Sequence, residues 1–175
     1  MGELETLGRK FREAVTEGNL VRFEEGTEYT MTHGYMRTAL ENLHCMKDEV
    51  ILSRERDEWT IAHKKWVITK GYYAMFHAAL SLLANRGLKS KDHESVPVAI
   101  ELLYCYPEKR KPDTTISNQV LDIVSLLNQT RGARGKVSYQ IYPDKRDVDE
   151  GVDLVINNAE KVIETARDII TKEGG

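Results

Sequence analysis

The sequence predicts an all-α protein, an antiparallel up-and-down bundle of four to five main helices. Three observations carry that prediction. Apolar residues recur at steps of three and four through most of the chain, the period of one helix face. The C-terminal segment keeps this rhythm longest, through Val148, Val152, Val155, Ala159, Val162, Ala166 and Ile169, the pattern of a bundle seam. Strand patterning is missing: Val137–Tyr142 reads as one short extended run without a partner. An isolated strand gains too little to hold itself, so that run is expected to be a loop or helix end.

The elements follow in order. Leu4, Leu7, Phe11 and Ala14 mark a short amphipathic helix that Gly18-Asn19 stops. It belongs to an N-terminal arm, residues 1–30, beside a bundle domain of residues 31–175. A first long helix is expected from His33 to Leu52, striped by Met36, Ala39, Leu43, Met46 and Val50. Residues 53–58 are polar, a loop or a solvated helix end. The next helix begins near Thr60, reaches Asn85 and ends on Gly87; its apolar residues nearly encircle it between 71 and 83, which calls for neighbours on several sides. After a turn at Ser90-Lys91-Asp92, Pro97 fits the first turn of a helix capped by Ser95 or Val96 and finished before Pro107. A charged linker follows, then a helix capped by Thr114 or Thr115 with Ile116, Val120, Ile123 and Leu127 on one face. Asp147 and Glu150 have the spacing of a capping box for the last helix.

Composition narrows the function classes. With 41% hydrophobic and 30% charged residues the chain is expected to fold in water. A formal charge of -3 offers no overall attraction to a polyanion and leaves room for a local basic patch. Two cysteines, Cys45 and Cys105, are too few for a disulfide framework. No N-terminal apolar core suggests a signal peptide and no run has membrane-spanning length, so no membrane contact and a cytoplasmic location are expected. The histidines at 33, 44, 63, 77 and 93 lack metal-site spacing, and no cofactor or metal is expected.

Two places can carry chemistry. Lys70, Tyr73, His77 and Ser81 put a polar line on one face of the otherwise apolar helix. The second is Thr130–Tyr142, with Arg131, Arg134, Lys136, Tyr139 and Tyr142 around two glycines. Extending the stripe from Leu127 turns Arg134 toward the bundle or a partner surface. A guanidinium fork suits a phosphodiester, and a nearby histidine would handle protons in metal-free RNA cleavage. Tyr139 is a poor neutral proton carrier, and His77 is the histidine able to approach from another helix. A structural role for Arg134 and for His77 is the competing reading. His93, flanked by Asp92 and Glu94, reads as a local capping or hinge residue. Trp59 and Trp66, seven apart, are expected on one helix face.

The run Tyr72-Tyr73-Ala74-Met75-Phe76-His77-Ala78-Ala79, followed by Gly87-Leu88-Lys89-Ser90-Lys91-Asp92-His93, resembles the signature of HEPN domains, in particular a prokaryotic, mostly uncharacterised branch. The resemblance covers roughly residues 33 to 172. It implies a helical bundle, often a homodimer, with a minimal nucleotidyltransferase as frequent partner. Many members are RNases of toxin or defence systems. Active members carry an arginine followed four to six residues later by a histidine. Arg134 matches that arginine, while Tyr139 stands where the histidine would be. The resemblance therefore implies a module binding a nucleotide, RNA or a nucleotidyltransferase through Arg134, Lys136, Tyr139, Tyr73 and His77, without the usual RNase chemistry. The alternative is a metal-independent endoribonuclease using Arg134 with Tyr139 or His77.

Overall fold

A computed structural model of the chain describes residues 2–55, 59–107, 111–138 and 140–174. Its helices are α1 (Glu3–Thr16), α2 (Glu28–Glu55), α3 (Ile61–Ala84), α4 (Ser95–Cys105), α5 (Thr114–Ser138) and α6 (Lys145–Lys172). The all-helical bundle follows the sequence expectation. Four long helices, α2, α3, α5 and α6, form it, and α3 packs on α2, α4, α5 and α6.

Side-chain pairs give the directions. Lys64 of α3 meets Asp149 near the start of α6 at 2.6 Å, and Arg86, just past α3, meets Glu173 at the end of α6 at 2.5 Å. These two helices therefore run parallel. Glu49 near the end of α2 meets His63 near the start of α3, and Ser138, the last residue of α5, meets Thr69 in the first half of α3, so α2 and α5 run the other way. In an up-and-down bundle α3 and α6 stand on a diagonal. They touch because two glycines sit at the crossing. A Cβ on Gly71 would collide with Val155 and come within 2.9 Å of Met46 Sδ; one on Gly151 would meet Ile68 Cδ1 at 2.9 Å. The bundle is thus flattened along the α3–α6 diagonal.

The absence of strands was a wrong expectation. β1 (Leu20–Arg22) pairs antiparallel with β2 (Leu88–Ser90), with Leu20 opposite Ser90 and Arg22 opposite Leu88. Three residues each are too short to show a period of two. Leu20 and Leu88 are buried beneath the ribbon, and Phe23 N donates to Gly87 O while Lys91 N donates to Asn19 O at its ends. Burial and these end bonds hold a ribbon that would be marginal alone. The ribbon and the packing of α1 on α4 stitch residues 3–22 to the bundle. α2 starts at Glu28, so the 30/31 division falls within its first turn.

Caps also differ from expectation. Asp113, one residue before the expected threonines, accepts from Thr115 N and Ile116 N. Asp144 accepts from Arg146 N and starts α6 before Asp147; Asp147 pairs instead with Lys136, and Glu150 with Arg146. Asp92, rather than Ser95 or Val96, takes the backbone N–H groups of Glu94 and Ser95 at the start of α4. A carboxylate is the stronger acceptor for such orphan donors and also favours the positive helix end. Trp59 precedes α3, so it does not share a helix face with Trp66. The polar segment 53–58 continues α2 as far as Glu55, and 56–58 lie outside the described residues.

Candidate functional site

α3 supplies the floor of the site. It must be apolar on most sides because it packs on four other helices, and Tyr72 is 1% exposed there. Tyr73 and His77 share the one half-buried stripe left over. His77 Nδ1 lies 2.7 Å from Tyr73 O. A carbonyl only accepts, so Nδ1 carries the proton and Nε2 is the nitrogen able to take or release one. The polar line does not extend further. Ser81 turns back to donate to Ala78 O at 2.6 Å, and Lys70 lies over Trp66.

α5 brings the charge. Arg134 places its guanidinium 5.2 Å from the Tyr72 ring centre and 5.0 Å from that of Tyr73, and Nη2 donates to Tyr73 Oη at 3.3 Å. The two rings stand at 61° to each other, so the planar guanidinium lies face-on to at most one of them; the ring contacts and the bond to Tyr73 Oη hold the fork in place, and such a fork can take two oxygens of an anion. Arg131 lies one turn earlier and contacts Glu94 at 3.7 Å.

The loop before α4 adds the residue that sequence reasoning assigned elsewhere. His93 Nδ1 is 2.9 Å from Tyr72 Oη, and its ring packs 4.3 Å from Phe76 and 6.0 Å from Tyr73. Asp92 does the capping, and that bond network turns His93 inward. Burial, then the positive charge of Arg134, hold the His93 imidazole below its usual range; Asp92 opposes this, while Arg131 and His77 add to it. Asp92 itself is held below the usual carboxylate range: burial raises it, and its bonds to Ser95 and Glu94 outweigh that. Tyr35 of α2 closes the cluster, its ring 6.4 Å from that of His77, with burial raising its phenol.

Of the expected site residues, Tyr73, His77 and Arg134 come together. Lys136 does not: two residues beyond Arg134 on a helix it points elsewhere, is exposed, and pairs with Asp147 at 3.4 Å. Tyr139 lies outside the described residues. Tyr72 and His93 are the additions. Their signal was the family-like sequence run itself, which carries both but does not say that they bond to each other. Among the described residues no three His, Cys, Asp or Glu side chains are grouped to hold a metal ion, and no helix is long and apolar enough to cross a membrane. No family model, curated protein or solved structure matches the chain.

Proposed function

We propose that this chain is a HEPN-like binding module that takes the phosphate of a nucleotide or RNA at the Arg134 cluster and lacks the RNase chemistry usual for such domains. The observation that carries the reading is Arg134 held against the Tyr72 and Tyr73 rings beside Arg131, His77 and His93. Arg131 and Arg134, one turn apart on α5, gather positive charge beside two imidazoles, and a phosphate would offset their repulsion while accepting from the guanidinium. The half-buried rings of Tyr73, His77 and His93 beside it offer faces to a base. In this reading the module acts as a homodimer or beside a nucleotidyltransferase partner, as the resemblance implies.

A second reading, metal-independent endoribonuclease, is favoured by one observation. The His93 imidazole is bonded to Tyr72, and burial and Arg134 favour its neutral form. A neutral imidazole can take the 2′-hydroxyl proton while a guanidinium stabilises the charged transition state. One experiment separates the readings. Purified protein and its Arg134→Ala variant are titrated with fluorescent RNA and with ATP in excess EDTA, and the RNA is then examined for cleavage. Saturable binding that Arg134→Ala weakens, with intact RNA, supports the module. Cleavage that Arg134→Ala abolishes supports the nuclease, and neither binding nor cleavage sinks both.

A further inference from the structure

One large aromatic ring on the floor helix is left in the open. Trp66 is 56% exposed, although α3 is buried along most of its length. Positions 66, 70, 73 and 77 follow at steps of four, three and four, so Trp66 and Lys70 continue the face that carries Tyr73 and His77. Lys70 turns from the arginine cluster to Trp66, its Nζ 5.6 Å from the ring centre, and among the described residues no carboxylate pairs with it. The borders of this strip bring no opposing charge. On one side Tyr35 and Glu49 of α2 stand beside His77 and His63, at the two ends of the strip. Thr38 and Asn42 lie between them on the same face of α2, both uncharged and both bonded to backbone carbonyls of their own helix. Glu49, at the far end, is met by His63 and Ser53. On the other side Arg134 stands beside Tyr73, and Ser138 beside Thr69. The charges between those ends, Lys70 and Arg134, have one sign.

We propose that this strip binds a single RNA strand: Arg134 takes one phosphate, Lys70 another, and Trp66 stacks a base beyond them. The inference rests on the phosphate reading of the Arg134 cluster and goes further by naming its ligand, a strand of several nucleotides rather than a mononucleotide. Length carries the argument. Seven residues separate Trp66 from Tyr73, about 10 Å of helix at 1.5 Å each. That is about three steps of a stacked strand at 3.4 Å per nucleotide. A mononucleotide at Arg134 leaves Lys70 and Trp66 unused, whereas a strand engages both. An exposed indole with a cation beside it suits a single strand, because every base has a face to stack and every step a phosphate. In a duplex those faces are covered by neighbouring bases, so Trp66 discriminates against it.

The probes are AMP, an oligoadenylate RNA of about eight nucleotides, within the site sizes of single-strand binders, and the same RNA paired with its complement. They are titrated into the full-length protein in excess EDTA. The single strand is expected to bind at least about tenfold tighter than AMP. Trp66→Ala is expected to weaken the strand about tenfold, while Trp66→Phe keeps most of the affinity. Neither variant is expected to move AMP beyond about twofold. Lys70→Ala is expected to lower the slope of log K against log salt by about 0.7 for the strand. Arg134→Ala is expected to weaken both ligands. Three results would overturn this inference and leave the Arg134 reading standing, provided Arg134→Ala still weakens both ligands: equal affinity for AMP and the strand, a strand affinity unmoved by Trp66→Ala, or a duplex bound as tightly as the strand. Binding of neither AMP nor the strand would overturn both readings. A dimer that Trp66→Ala dissolves would also overturn the inference, because the ring would then face a second copy of the chain.

Discussion

Two arginines of this molecule lie against tyrosine rings, in opposite electrical surroundings. Arg86 sits 4.2 Å from the centre of the Tyr104 ring, and the carboxylate of Glu173 meets its Nη2 at 2.5 Å. Tyr104 is itself spent on structure: its hydroxyl donates to Leu82 O at 2.9 Å, and burial pushes its phenol up to about 12. Arg134 lies over Tyr72 and Tyr73, and the groups acting with it on His93 include two more cationic or ionisable bases, Arg131 and His77. The carboxylates nearby are engaged, Asp92 with the start of α4 and Glu94 with Arg131. The same residue pair therefore serves two ends. With a carboxylate it ties the end of α3 to the end of α6. Beside Arg131 and two imidazoles it offers, in the function proposed above, a seat for an anion.

The comparison breaks or holds on four measurements. The largest effect is expected from Arg86→Ala. It leaves Glu173, 6% exposed at its side chain, without that partner and is expected to cost about 3 kcal/mol. In thermal unfolding that is a loss of about 6–12 °C, with RNA and nucleotide binding unchanged. Loss of binding at a retained melting temperature would erase the distinction between the two arginines. Next is Arg134→Ala. Its expected outcome is the reverse, a stability change within about 1 kcal/mol and an affinity loss of about tenfold or more, read by fluorescence anisotropy. A variant that fails to fold would make Arg134 the structural arginine.

His93 gives a smaller, pH-dependent signal. Its native pKa lies below its usual value, so near and below pH ~6.5 the unfolded chain binds a proton that the native chain does not. Its contribution is fully present above that pH and is lost as pH falls from there toward the native pKa. Urea midpoints measured from pH 8 to 5 are expected to fall over that window, and His93→Gln is expected to flatten the fall. An unchanged profile would remove His93 from the buried cluster. The smallest effect belongs to Lys136→Ala. Its pair with Asp147 is exposed, worth about 0–1 kcal/mol, and anion affinity is expected to stay within about twofold. A large loss would move the site to the other side of α5.

What the sequence showed and what it hid have separate physical origins. Burial along α3 and α6 follows from side-chain period, and the helical ends at Thr16 and Ala84 follow from the positive-φ glycines at 18 and 87. Tyr73, His77 and Arg134 were legible because helical steps set their faces. The β1–β2 ribbon was not, because its pairing is non-local and its strands span three residues. His93 was misread for a similar reason. Asp92 and His93 are neighbours in an irregular loop, where no period states which side chain caps α4 and which turns inward. Lys136 was placed with Arg134 by proximity in sequence, which a helix converts into opposite directions.

Gly71 immediately precedes Tyr72 and Tyr73, at the crossing where α3 meets Val155. The room for a methyl group there is held jointly by two positions more than eighty residues apart. An alanine at 71 would meet the Val155 Cβ itself as well as Met46 Sδ, so trimming Val155 to alanine would not repair it, and a suppressor at 155 would have to be glycine, with Met46 also giving way. Any such repair would also reset the height at which the tyrosines meet Arg134, and so link a packing defect in the core to recognition at the surface.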